Sequence, residues 1–200
     1  MYLPDLAMTA TLLKLDPATT ALVLIDLQQG ILAFAKAPYD GAAVMANAVP
    51  LAAAFHELKS PVVRVKVGWS DDGGDALKST VDAPNPAHAL PADWMADPAD
   101  LPTQPGDIAI TKRQWGAFHG TELDLQLRRR GIRTIVLAGI ATSIGVESTA
   151  RVAWELGYDI VFAEDATSGP DAGTHANSFE KIFPRIGRVR RTADVLAALK

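Results

Sequence analysis

Thr20-Ala21-Leu22-Val23-Leu24-Ile25 is an uninterrupted apolar run that ends at Asp26. Six such residues without polar alternation suit a strand buried on both faces, and strands of that kind belong to parallel sheets covered by helices. The theme repeats along the chain. Pro61 to Val67, Ile108 to Thr111, Thr134 to Ala138 and Asp159 to Ala163 read as further strands. Between them, Ala42 to Leu58 has helical spacing of its apolar residues, with a kink or short break expected at Pro50. Thr121 to Arg130 reads as a helix with Thr121 as N-cap and Gly131 just past its end. Val146 to Leu156 reads as another, stopped at Gly157. A helix around Ala172 to Phe183, a short strand near Arg188 and a terminal helix from Ala193 complete the pattern. Strand–helix alternation predicts an α/β fold, with a mostly parallel sheet and helices on both faces.

Composition sets broad bounds. The chain has 200 residues, 48% of them hydrophobic and 21% charged, with a formal net charge of −4 and no cysteine. That length predicts one compact domain over residues 1–200. The negative balance argues against nucleic acid and anionic membrane as partners. Zero cysteines exclude disulfides, Cys-ligated zinc and thiolate chemistry. Met1 to Lys14 lacks the basic start and apolar stretch of a secretory leader. No apolar run approaches the ~20 residues needed to span a bilayer, so a cytoplasmic protein is expected.

Residues 68–106 break the alternation. This stretch is rich in Pro, Asp and Gly and holds Trp69 and Trp94. Long loops in compact domains are mostly functional or disordered. An ordered excursion over the sheet's carboxyl edge, forming a wall of the site or a subunit contact, is the expectation; a variable surface loop is the alternative.

Ligands of open parallel sheets collect beyond the carboxyl ends of the strands. Three features fall there. Asp26 follows the first strand in Ile25-Asp26-Leu27-Gln28-Gln29-Gly30, and Lys112 follows the third in Thr111-Lys112-Arg113-Gln114-Trp115-Gly116-Ala117-Phe118. Gly145 follows the fourth, where Leu137-Ala138-Gly139-Ile140-Ala141-Thr142-Ser143-Ile144-Gly145-Val146-Glu147 turns into a helix. Singly, each is weak, because Asp and Lys at strand ends often only cap helices. Their joint placement is far more specific.

These motifs, Asp26-Leu27-Gln28-x-Gly30, Lys112-x-x-x-x-Ala117-Phe118-x-x-Thr121-x-Leu123 and the turn from Gly139 to Arg151, resemble those of the isochorismatase-like hydrolases of the cysteine hydrolase superfamily, in the same order and spacing. The match runs from about Thr20 to the C-terminus and is greatest with the cysteine-less YecD-type branch. The resemblance implies a three-layer α/β/α, Rossmann-like fold with a six-stranded, mostly parallel sheet, and a homo-oligomer (dimer or tetramer). It maps the family's catalytic Asp and Lys onto Asp26 and Lys112. Gly145 stands where most members carry the nucleophilic Cys. It also implies a non-proline cis peptide at Ile140-Ala141.

Without the thiol, Ser143, Ser148 and Thr142 are the nearest hydroxyls, and an Asp beside a lysine is a poor base for an alcohol. All three are read as structural. What Gly145 retains is backbone at a helix N-terminus, which favours an anion or developing oxyanion. Family members that cleave isochorismate need only a carboxylic acid to protonate an enol carbon. The expectation is therefore acid-catalysed hydrolysis of a small, carboxylate-bearing substrate, with Asp26 as the acid and Lys112 as the anion binder. Lys112 should hold Asp26 ionised in the free site, and a bound anion should reverse that. A Cys-independent amide hydrolase and a catalytically silent binding protein stay open as alternatives.

Gln28, Phe34, Trp69, Trp115 and Phe118 are candidate pocket walls, with ordinary packing as the bland alternative. Ile140, Ala141, Thr142 and Ile144 join them from the turn. No metal and no cofactor are expected: Gly68-Trp69-Ser70-Asp71-Asp72-Gly73-Gly74-Asp75 lacks histidine, and His56, His88, His119 and His175 are scattered. Arg128-Arg129-Arg130 suits a helix C-terminus, and Arg185, Arg188, Arg190 and Arg191 read as a solvated face.

Overall fold

The computed structural model describes residues 13–83 and 90–199; His88 and most of Met1 to Lys14 lie outside them. Six strands form one parallel sheet in the order β3-β2-β1-β4-β5-β6: β1 Thr20–Ile25, β2 Val62–Val67, β3 Ile108–Lys112, β4 Thr134–Ile140, β5 Asp159–Ser168 and β6 Arg188–Arg190. Strand β1 is buried at all six positions because both its faces are used. Leu22 and Leu24 enter a core with Val44, Leu51 and Phe55 of helix α2 (Gly41–Glu57) and Val195 of helix α7 (Thr192–Ala198). Ala21, Val23 and Ile25 enter the opposite core with Leu123 and Leu127 of helix α3 (Leu123–Arg129) and Ala150 and Ala153 of helix α4 (Glu147–Glu155). The period-2 geometry of a strand thus divides one apolar run between two layers.

Strand order places the site. The chain lays β2 and β3 outward on one side of β1, then returns to place β4 on its other side. The crevice between the carboxyl ends of β1 and β4 is the point where the winding reverses. The two strands approach closely there. Gly139 pairs with Ile25 at φ +132°, and a β-carbon on it would lie 2.1 Å from the Ile25 carbonyl oxygen. Only glycine fits.

Several elements differ from the sequence reading. Helix α2 runs unbroken through Pro50. Its apolar stripe includes fully buried Leu51 and Phe55, each stabilising by roughly 1.5–3 kcal/mol, enough to offset the ~3 kcal/mol cost of an internal proline. Helix α3 begins at Leu123, but the Thr121 hydroxyl still accepts from the Leu123 N–H at 3.1 Å, and Gly131 ends the helix at φ +70°. Strand β5 continues to Ser168. A π-helical turn, Thr142–Val146, precedes α4. The segment after β5 divides into helix α5 (Ala172–Asn177), a second π-helical turn (Ser178–Ile182) and helix α6 (Phe183–Ile186). A short helix α1 (Gln29–Leu32) follows β1.

Candidate active site

Asp26, Lys112 and Gly145 meet in the crevice. Asp26 leaves β1 with φ +52°, a left-handed conformation that costs a non-glycine residue about 1–3 kcal/mol and is typical of functional positions. Lys112 closes β3 and reaches past the end of β2, so that its Nζ donates to Asp26 Oδ2 at 2.7 Å and to the Gln114 carbonyl at 3.2 Å. A β-carbon on Gly145 would sit 3.0 Å from Ile25 Cγ2, 3.2 Å from Asp26 Oδ2 and 3.6 Å from Lys112 Nζ. The carboxylate and the ammonium therefore crowd the space that a side chain at 145 would otherwise occupy.

The pair is withdrawn from water, with Asp26 5% and Lys112 2% exposed. Burial drives the Asp26 carboxyl up to about 6, against the opposing charge and hydrogen bond of Lys112. Desolvation outweighs the ion pair in setting the direction of this shift. Asp26 Oδ1 is buried without a hydrogen-bond partner among the described residues. An orphaned acceptor of this kind costs about 1–3 kcal/mol.

Of the expected walls, Gln28 is fully buried and occupied. Its amide nitrogen donates to the carbonyls of Val67 (3.0 Å) and Trp94 (2.9 Å), and its Oε1 accepts the Val67 N–H at 2.8 Å. It staples the long loop down. Trp94 completes the clasp: its indole N–H donates to the Val67 carbonyl, and its ring fills the space where a β-carbon on Gly30 would come within 2.2 Å. Trp69 packs beside Trp94 and donates to the Arg113 carbonyl. Phe34 and Trp115 are 51% and 60% exposed, on the loops after β1 and β3. Phe118 turns away from the crevice into the core, against Tyr158, because Ala117 is held inward by the Thr149 hydroxyl. Ile140 is buried in the α2-side core, whereas Ala141 and Ile144 are half-buried. The Ile140-Ala141 peptide is cis. The loop carboxylates of Asp72 and Asp75 bind Ser70 and Gly74 of their own turn, and Asp75 also pairs with Arg113.

The turn's opposite face joins Thr142, expected as a turn hydroxyl and pocket residue, to His175, Glu164 and Tyr39, which the sequence did not link to it. The Thr142 hydroxyl, 1% exposed, lies 2.8 Å from His175 Nδ1 on α5. His175 Nε2 lies 3.4 Å from Glu164 Oε1 on β5, and Glu164 also accepts from the Tyr39 hydroxyl at 3.0 Å. His175 donates to Glu164, and that hydrogen bond, with the one from Tyr39, holds the Glu164 carboxyl below its usual range. Arg191 pairs with Glu164 and Asp165 at 3.5 and 3.4 Å while its side chain stays exposed, as on the solvated face expected of it. Only the pairing of Glu164 and Asp165 inside an apolar strand hints at this cluster in the sequence.

Comparison with known proteins agrees with this fold. Residues 20–194 match the isochorismatase domain family. The isochorismatase family protein YecD of Escherichia coli O157:H7 is 57% identical over 188 residues, 94% of this chain and all of its own. The ureidoacrylate amidohydrolase RutB of Caulobacter vibrioides is 35% identical over 207 residues, covering 91% of this chain and 92% of its own. The structure of an isochorismatase family protein from Burkholderia thailandensis superposes with a TM-score of 0.90 at 47% identity, covering 94% of this chain and 99% of its own.

Proposed function

The chain belongs to the isochorismatase family of hydrolases, and we propose that it hydrolyses a small carboxylate-bearing vinyl ether by acid catalysis from Asp26. The observation that carries this reading is Asp26 Oδ1: buried, without a partner among the described residues, on a carboxyl that burial raises to about 6. A general acid works best with its pKa close to the working pH. The substrate carboxylate binds at the start of the Thr142–Glu155 helical segment, since a helix N-terminus favours an anion. Its charge, and the water it expels, raise the Asp26 pKa further, so proton supply is coupled to binding.

Protonated Asp26 delivers its Oδ1 proton to the enol carbon and becomes the carboxylate that Lys112 stabilises. The resulting oxocarbenium ion takes up water and loses a proton. The hemiketal then breaks its C–O bond, giving a 2-oxo acid and an alcohol. Gly145 contributes a backbone without a nucleophile and, by lacking a side chain, lets the Asp26–Lys112 pair close against the turn.

One observation favours a second reading. RutB is an amidohydrolase, and an Asp26 mostly ionised at neutral pH suits a base that activates water for C–N cleavage. Incubation with isochorismate and with ureidoacrylate distinguishes them. Release of pyruvate from the first supports acid catalysis, and release of ammonia from the second alone overturns it.

A further inference from the structure

The π-helical turn Thr142–Val146 is gripped from outside the reaction centre by one short stretch of chain. His175 takes the turn's first residue through Thr142. Ser178, three residues on, donates to Glu147 Oε2 at 2.6 Å, just beyond the turn's last residue. From the other side the Thr149 hydroxyl donates to the Gly145 carbonyl at 2.7 Å. The imidazole itself is 5% exposed, stacked on Phe179 at 4.5 Å between ring centres. With Nε2–H directed at Glu164, Nδ1 is left as an acceptor, so the Thr142 hydroxyl donates to it.

We propose that the chain Thr142–His175–Glu164, anchored by Tyr39, is a positioning device that sets where Gly145 and the turn's N–H groups stand relative to Asp26 and Lys112. His175 is thus a positioning residue, since it touches no reacting atom. Hydroxyl, imidazole and carboxylate do stand in the order of a nucleophile triad. The hydroxyl, however, is buried against α5, whereas Asp26 and Lys112 approach Gly145 from β1 and β3. The physical reason for the device lies in tolerance: displacing a reacting array by ~1 Å can cost about 10²-fold in rate, and a turn with π geometry lacks the regular ladder of an α-helix to hold it.

The proposal rests on the turn being the substrate-binding element, so its test needs no substrate. Gly145→Cys places a thiol beside Lys112 and the helix terminus, and its rate with iodoacetamide reports the turn's position. Adding Thr142→Val, which keeps shape and removes the hydroxyl, should slow that rate roughly tenfold. Adding Thr142→Ser instead should leave it near the parent value. Should the Val variant not fold, His175→Phe keeps the stacking on Phe179, removes both ring nitrogens and should give the same loss. Equal thiol rates in all these backgrounds overturn the proposal, whatever isochorismate does. So does covalent labelling of Thr142 itself by a fluorophosphonate, which would make Thr142 a nucleophile. Pyruvate release unchanged by Thr142→Val alone, in a protein that does cleave isochorismate, also counts against it.

Discussion

The two faces of the turn after β4 differ in how their polar groups are satisfied. On the α5 face, Thr142, His175, Glu164 and Tyr39 complete one another. On the β1 face, Asp26 has one oxygen on Lys112 and the other on no partner among the described residues, with its backbone held at positive φ. A fold gains stability from the first arrangement and loses it through the second. The difference teaches where chemistry is stored: the face that is left incomplete is the one that still has a bond to offer a ligand.

The sharpest way to break this contrast is Asp26→Asn. It keeps the volume and removes the titratable proton, so turnover on isochorismate should fall by at least ~10²-fold. Binding should change little or tighten, because a negative charge facing an anion is lost. Unchanged turnover would end the mechanism and leave the fold untouched.

The strain on Asp26 should also appear in stability. Its folded pKa, about 6, lies above the ordinary 3.8. The associated stability is therefore fully present below pH 3.8 and is lost as pH rises through 6. The loss amounts to roughly 3 kcal/mol. Urea unfolding of the wild type minus that of Asp26→Asn, followed from pH 4 to 7, should show that fall. A flat difference would mean that burial does not perturb this carboxyl.

Lys112→Ala removes the cation beside the proposed anion site and should weaken binding of pyruvate, a minimal carboxylate, by at least ~10-fold. Calorimetric titration measures it directly. Smaller still is the effect of Gly30→Ala. Its methyl meets the Trp94 ring, and displacing a packed side chain costs about 1–3 kcal/mol. A lowered melting temperature with a red-shifted tryptophan emission is expected; an unshifted spectrum would show that the loop is not clasped there.

The contrast also marks what could be read from the chain alone. Strand β1 and the position of Asp26 were legible, because an apolar run states its own limits and the next residue falls at the sheet edge, whereas Gly145 was picked out by the family resemblance of its turn. Gln28 was readable as near the site but not as a staple, since its partners Val67 and Trp94 lie 39 and 66 residues away. Phe118 follows the same Lys112 segment as Trp115, and nothing local shows that one enters the core while the other stays exposed. His175 is separated from Thr142 by 33 residues and from Glu164 by 11. A hydrogen-bond relay has no periodicity, so three residues on three elements leave no pattern in a sequence.

The central claim, that Asp26 is an acid waiting for an anion, is tested most directly by titrating its side-chain carboxyl through carbon-13 NMR, with Asp26→Asn used to assign the signal. The account predicts a midpoint near 6 in the free protein, moving upward when pyruvate is added. A midpoint in the ordinary carboxylate range, or one that pyruvate moves downward, would contradict it.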